Sequence, residues 1–252
     1  MTRRRWIADN WSPTTATLTG EQANHLARVL RAQTGQIFDV VAGGFLHRAE
    51  IVSVSPEAVE FALHEELEAE AALPLHLYLA VFKFDHFEWA IEKSTELGVG
   101  RITPILARRT EKHLAQAAVK RVERWRKIAH EAAQQSRRTD VPAIADPLAL
   151  KLALTQESSP TRILLSETEQ ETTITYALDR AKSLRDPGQE SETWVPTDDS
   201  IALAIGPEGG WTPEEMALFA EHKWQHVTLG PRILRAETAA IAAIAIAGTH
   251  FA

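Results

Sequence analysis

The chain has 252 residues, 44% hydrophobic and 24% charged, an ordinary composition for a soluble globular protein with room for two modest domains or one large one. It contains no cysteine, which excludes disulfides, thiolate nucleophiles and cysteine zinc sites together. The formal net charge of −7 argues against a nucleic-acid partner only until it is apportioned: residues 75–140 hold thirteen Lys and Arg against eight carboxylates, whereas 51–74 hold six carboxylates and no base.

The chain opens on MTRRRWIADNW, which is basic but leads into no apolar core, so it does not read as a secretory signal. The longest apolar run, Ala239 to Ala247, is too short for a membrane span, and cytoplasmic residence is expected. Residues 1–70 are predicted to form a small β-barrel with one short helix. In EQANHLARVLR, Ala23, Leu26, Ala27 and Leu30 recur at helical spacing. QIFDVVAGGFLHRAEIVSV reads as two strands joined across Gly43-Gly44, where glycine accepts positive φ, and Ala58 to Leu63 supplies another strand. Arg28 and Arg31 lie on the helix, His47 and Arg48 on the hairpin. Taken singly they are solvated surface side chains; taken together they sketch a patch facing RNA. The acidic run HEELEAEAALP, residues 64–74, reads as a linker or short connecting helix, placing a domain boundary between 1–70 and 75–252.

From Leu75 strands alternate with helices. Leu75 to Phe82 is strand-like, Asp85 with Glu88 is a capping signature, and FEWAIEKSTEL carries a helix ended by Gly98. Ile102 to Ala107, Ala143-Ile144 and Ile163 to Ser166 read as strands, and Lys120 to Gln135, Pro147 to Leu154 and Ile174 to Leu184 as helices. Such alternation implies a mainly parallel sheet. Residues 186–200, DPGQESETWVPTDDS, read as a polar, acidic surface excursion.

Two strand, glycine loop, helix units follow. Ile201 to Ile205 fits a strand buried on both faces, ending at Gly206-Pro207-Glu208-Gly209-Gly210; Thr212, Pro213 and Glu215 then read as helix N-cap, first helical position and capping-box acid. Val227 to Leu229 is a short strand, Gly230-Pro231 a turn, and Glu237 opens an alanine-rich helix. Two such loops on neighbouring strands would form one ligand crevice. There is no GxxxxGK[ST], no GxGxxG after the first α/β strand, no HExxH and no GxSxG. His222 and His226 are four apart with no third ligand, so no metal site is expected. What remains is a ligand read mainly by backbone amides and carbonyls. The first loop alone is explained as a tight turn. The second, Gly230-Pro231-Arg232-Ile233-Leu234-Arg235 followed by Glu237 and Thr238, packs two arginines and an acid among apolar residues, which a structural turn rarely needs.

GPEGGWTPEE and LGPRILRAETA resemble the carboxy-terminal signatures of the RsmE family, SPOUT-class methyltransferases that modify N3 of the uridine conventionally numbered 1498 in 16S ribosomal RNA. HLARVLRAQTG, EKSTELGVGRITPILARRT and HEAAQQSRRTDVP are similar to further family segments, in family order over nearly the whole chain. The excursion at 186–200 and the long acidic linker depart from the pattern without touching a motif.

The resemblance implies a PUA-like amino-terminal barrel for RNA, an α/β SPOUT methyltransferase domain with a deep trefoil knot, S-adenosylmethionine as cofactor, a homodimer, and 16S rRNA within the small ribosomal subunit as partner. Carried over by motif, Ile205, Gly206, Pro207, Gly209, Gly210, Leu229, Gly230, Ile233, Leu234 and Thr238 would hold the cofactor. Because N3 of uracil carries a proton, Glu208 and Glu237 become the candidate bases, and Arg232 or Arg235 the candidates for stabilising charge on the uracil oxygens. A structural Arg235–Glu237 ion pair is an equal alternative. Arg5, Arg28 and Arg31 are expected to contact RNA phosphates. A protein that keeps this fold and binds RNA without catalysis, and an α/β enzyme using the crevice for another small anion, are the competing classes; S-adenosylmethionine binding separates them from the first.

Overall fold

The computed structural model describes residues 5–185 and 199–251. All but the last two residues of the 186–200 excursion therefore lie outside the described residues. The chain divides into two compact units: Met1–Ala72 with Glu131–Val141, and Leu73–His130 with Pro142–Ala252.

In the first unit, Trp6–Ile7 (β1), Asn10–Trp11 (β2), Thr15–Thr19 (β3), Ile37–Ala42 (β4), Phe45–Val54 (β5) and Ala58–Leu67 (β6) form one sheet in the order β1-β4-β5-β6-β3-β2. The short segment carrying β1 and β2 pairs with both of its outer neighbours. Trp6 and Ile7 run parallel to Val40 and Val41, while Asn10 and Trp11 run antiparallel to Thr17 and Ala16. The sheet thus curls back on itself around a core that includes Trp6, Leu18, Leu26, Ile51, Val59 and Phe61. The Gly43-Gly44 connection forms as expected, with φ of 62° and 90°, the positive pair that a two-residue hairpin turn requires.

Two expectations fail here for local reasons. The acidic run is not all linker, because β6 continues to Leu67; Glu65 pairs with Arg48 at 2.7 Å and His64 with Glu50 at 3.3 Å across the β5–β6 ladder, so polar cross-strand pairs accompany a strand end poor in apolar residues. The helix Gly20–Asn24 (α1) passes into a π-helical turn, His25–Val29. The Leu30 N–H bonds the His25 carbonyl five residues back (3.0 Å), so the 3.6-residue spacing breaks: Leu26 is buried but Leu30 is 51% exposed.

The second unit contains Leu75–Ala80 (β7), Arg101–Leu106 (β8), Ala143–Ile144 (β9), Leu148–Ala149 (β10), Thr161–Leu165 (β11), Ile201–Ile205 (β12) and Gln225–Val227 (β13), all paired in parallel. Their order is β10-β8-β7-β12-β11-β13, with β9 also on β8. The helices are Phe84–Glu96 (α2), Lys112–Gln135 (α3), Leu150–Gln156 (α4), Ile174–Arg185 (α5), Pro213–Glu221 (α6) and Ala236–Thr249 (α7); the last residues of α3 belong to the first unit. All five residues of β12 are buried, as its unbroken apolar run requires. β12 and β13 are not neighbours, however, because β11 lies between them. Asp85 is not a cap either. The N-cap of α2 is Lys83, and Glu88 instead binds Arg121 (3.1 Å) and Arg124 (2.8 Å) on α3. Gly98, at φ 93°, follows the last turn of α2 where a left-handed residue is needed.

Candidate functional site

A cavity of about 1130 Å³ opens beyond the carboxyl ends of β11, β12 and β13, the side on which open α/β sheets hold ligands. Three loops wall it: 205–211 after β12, 227–235 after β13, and 165–170 after β11. Arg109, from the segment after β8, also lines it.

The first loop owes its shape to its glycines and to the helix that follows. A Cβ at Gly206 would sit 3.0 Å from the indole nitrogen of Trp211, so a side chain there would press the ring out of its place by a few tenths of an ångström. Gly210 has φ 69° and donates its N–H to the Pro207 carbonyl at 2.8 Å. Thr212 and Glu215 then form the capping box of α6, with Pro213 at the first helical position. The carboxylate of Glu215, a residue only 2% exposed, also reaches beyond its own helix. One of its oxygens accepts the Thr212 N–H (2.8 Å) and the other the Arg108 N–H (2.8 Å). The segment after β8 is thereby tied to the loop after β12, and the Arg109 guanidinium donates to the Gly209 carbonyl.

In the second loop, the Thr228 hydroxyl accepts the Gly230 N–H and donates to the Gly230 carbonyl, both at 3.1 Å, and Gly230 takes φ 113°. Ile233 is 80% exposed, an apolar side chain that lines the cavity and stays out of the core. The third loop holds itself through hydroxyl contact of Ser166 with Thr168 (2.9 Å) and through Glu169, which accepts the N–H groups of Thr172 (2.9 Å) and Glu171 (2.8 Å). Those backbone donors hold the Glu169 carboxyl below the usual carboxylate range.

Ile205, Gly206, Pro207, Glu208, Gly209, Gly210, Leu229, Gly230, Arg232, Ile233, Leu234 and Arg235 all line this cavity. Glu237 and Thr238 do not. Glu237 is 4% exposed and meets the His86 imidazole of α2 at 3.0 Å, whereas no Arg235–Glu237 ion pair occurs among the described residues. Arg235 is the N-cap residue of α7. Arg5, Arg28 and Arg31 lie in the first unit; Arg5 donates to the Arg137 carbonyl, and Arg28 and Arg31 are exposed.

Sequence reasoning missed the third loop and Arg109. The third loop has a signal of the same kind as the other two, since an apolar strand (Ile163 to Leu165) ends abruptly in a polar run, but it contains no glycine to mark it. Arg109 reaches Gly209 from one hundred residues away, a contact no local pattern encodes.

The lining is largely backbone and apolar side chains, with both charge signs at Glu208, Arg109, Arg232 and Arg235. Such a cavity suits a ligand of nucleoside size that is enclosed by apolar contact and oriented by peptide groups. Among the described residues there is no cluster of three or more metal-ligating side chains, and no helix is long and apolar enough to cross a membrane.

Residues 69–248 match the family model of an RNA methyltransferase domain, and residues 18–63 that of an RNA methyltransferase PUA domain. The chain is 36% identical to the ribosomal RNA small subunit methyltransferase E of Synechocystis sp., over 92% of this chain and 72% of that protein. It is 34% identical to the Bacillus subtilis protein of that name, over 91% and 88%. Among solved structures it is similar to a Legionella pneumophila methyltransferase in complex with bound SAM, and to a ribosomal RNA small subunit methyltransferase E from Neisseria gonorrhoeae bound to S-adenosyl methionine. Each is 28% identical, with a TM-score of 0.77, over 98% of this chain and 97% of the other.

Proposed function

The chain belongs to the RNA methyltransferase family of the ribosomal RNA small subunit methyltransferase E proteins, enzymes dependent on S-adenosylmethionine, and from that premise we propose that it methylates N3 of one uridine, conventionally position 1498, in 16S ribosomal RNA. The observation that carries this reading is the convergence of three strand-end loops on one cavity walled by glycine backbone and apolar side chains.

S-adenosylmethionine fits that cavity, and when bound it supplies an electrophilic methyl group on a sulfonium sulfur. Gly206 gives the Trp211 indole a place, and the buried Trp211 Nε1 donor has no partner among the described residues. Leu229, Ile233 and Leu234 would enclose the adenine, and the peptide groups of Ile205 to Gly210 would orient the rest. What the residues of this chain must then do is make N3 of uracil nucleophilic. Glu208, exposed at the cavity wall, would take the N3 proton and leave the nitrogen with the electron pair that the methyl group of a cofactor held by the 205–210 and 229–234 loops would accept. Arg232 or Arg235 donates to the uracil oxygen on which negative charge collects. Glu237, buried against His86 outside the cavity, serves to position the start of α7 and hence Arg235. Arg5, Arg28 and Arg31 bind phosphates.

The finer features of the family reading go with this proposal. The second unit carries a deep trefoil knot through the loops after β12 and β13, and the first is a closed PUA-like barrel. Two copies associate, with the half-buried Ile241, Ala242 and Ile246 of α7 as an apolar face for the contact. The protein acts on the small ribosomal subunit in the cytoplasm. Calorimetric titration with S-adenosylmethionine, joined to mapping of N3-methyluridine in ribosomal RNA from cells with and without the gene, tests the reading. Saturable binding and a mark that disappears with the gene are expected; no binding, or an unchanged mark, would overturn it.

A further inference from the structure

The π-helical turn of the first unit is held at both ends. The His25 ring lies against Trp6, centroids 5.9 Å apart, and the buried Ala32 donates its N–H to the Leu26 carbonyl at 3.0 Å. Between these anchors the chain does three unfavourable things at once. It adopts a rare π turn, it puts Arg31 in the left-handed region at φ 51°, and it turns two consecutive apolar side chains outward, Val29 at 65% and Leu30 at 51% exposure. A regular helix would have returned Leu30 to the core side. Arg28 and Arg31 bracket the pair, both exposed, and neither makes an ion pair among the described residues.

We propose that Arg28-Val29-Leu30-Arg31 is a strand-reading element, in which Val29 and Leu30 pack against the face of an unpaired RNA base while Arg28 and Arg31 hold the flanking phosphates. The proposal rests on the ribosomal RNA reading above and adds which kind of RNA the first unit engages. Unpaired RNA offers an apolar base face beside its phosphates; an A-form duplex keeps its base faces stacked and offers phosphates and hydroxyls alone. A second copy of this chain is the poorer occupant, since a two-fold contact centred here would set Arg28 and Arg31 against their own copies.

The test uses the full chain with Val29→Ser/Leu30→Ser, and separately Arg28→Gln/Arg31→Gln, against a uridine-rich single-stranded oligoribonucleotide and an RNA duplex of equal length. The apolar pair of changes is expected to weaken single-strand binding about tenfold or more, a base-contact effect, with duplex binding and the salt slope unchanged. The arginine pair is expected to weaken both and to flatten the single-strand salt dependence by about 1.4 in log–log slope, roughly 0.7 per phosphate contact. Wild-type single-strand affinity in Val29→Ser/Leu30→Ser would overturn the proposal, and a simultaneous change in mass by light scattering would identify the turn as a protein contact instead. Should the double change lower the melting temperature, Val29→Ser alone, at the more exposed position, is read in its place. S-adenosylmethionine binding keeps the two readings apart: if the wild type binds none, the methyltransferase assignment falls, while the strand-binding comparison still decides this one.

Discussion

At the scale of single residues, two carboxylates, Glu208 in the loop after β12 and Glu215 in α6, do opposite work. Glu215 was legible in sequence as a capping-box acid, three residues after Thr212, because the box is a local rule. Its bond to the Arg108 N–H was not legible, because nothing local records it. Glu215→Ala removes a cap, about 1 kcal/mol, and the charge-assisted hydrogen bond to the Arg108 N–H, another ~1–3 kcal/mol. Urea denaturation should therefore show a loss of about 2–4 kcal/mol, and S-adenosylmethionine affinity should fall as the Arg109–Gly209 contact loosens; an unchanged midpoint would show that the tie carries no stability. Glu208 is exposed at the cavity and has no ion-pair partner among the described residues to lose. Glu208→Gln should leave stability unchanged and slow single-turnover methylation by about 100-fold or more. Glu237→Gln should do the reverse, lowering the melting temperature through the His86 contact with a far smaller effect on rate. Equal rate losses in the two variants would return Glu237 to the proton-transfer role.

At the scale of elements, strand and helix positions in the second unit follow from apolar runs and caps, so β7, β8, α2, α6 and α7 were readable to within a few residues. Strand order was not, because parallel pairing is decided by crossovers and not by any one strand's residues; β11 enters between β12 and β13 and brings the third wall of the cavity. The π turn after α1 was unreadable for a related reason, since the apolar spacing of the segment is that of a regular helix and the contact of His25 with Trp6 joins residues that no local pattern relates. One cluster at the opposite, amino-terminal side of the sheet was absent from the sequence reading altogether. His76 of β7 donates or accepts at Glu157 (2.6 Å) and Thr103 of β8 (2.8 Å), and Glu157 also accepts the Ser159 N–H at 2.5 Å. Burial lowers the His76 pKa in spite of Glu157; burial would raise that of Glu157, but hydrogen bonds from His76 and Ser159 hold it well below the usual range. A neutral imidazole donating to Glu157 and accepting from the Thr103 hydroxyl satisfies every group. Both shifts have the same sign for stability. As pH falls below 6.5 the unfolded chain takes up the His76 proton before the folded one, and below 4.5 the same holds for Glu157, so stability falls in two stages on the acid side. The first stage has a slope of at most about 1.4 kcal/mol per pH unit. Denaturation midpoints for wild type and His76→Gln between about pH 7.5 and 5 check this: the variant should lose the slope below 6.5, and parallel curves would assign it to other groups.

At the scale of the whole molecule, the two units have separate cores, one around Leu18, Leu26 and Phe61, the other around Tyr78, Leu164 and Trp224, and the cavity is lined by residues of the second alone. A ligand that binds only folded protein stabilises what must fold to make its site, by RT ln(1 + [L]/Kd), or about 2.7 kcal/mol at a hundredfold excess over Kd. For a unit of roughly 150–250 residues each kcal/mol moves the midpoint by about 2–4 °C, so the second unit's transition should rise by roughly 5–11 °C at that excess. Scanning calorimetry of the full chain with and without S-adenosylmethionine reads this directly. If the units unfold independently, one transition climbs with ligand concentration while the other stays in place, and Gly206→Ala, which brings a methyl group within 3.0 Å of the Trp211 indole nitrogen, should abolish the climb. A single transition that climbs as a whole would mean that the two cores unfold as one cooperative body, and that occupancy of the cavity stabilises the first unit as well. A thermogram that ignores the ligand would remove the cofactor from this cavity, and with it the roles assigned to Glu208, Arg232 and Arg235.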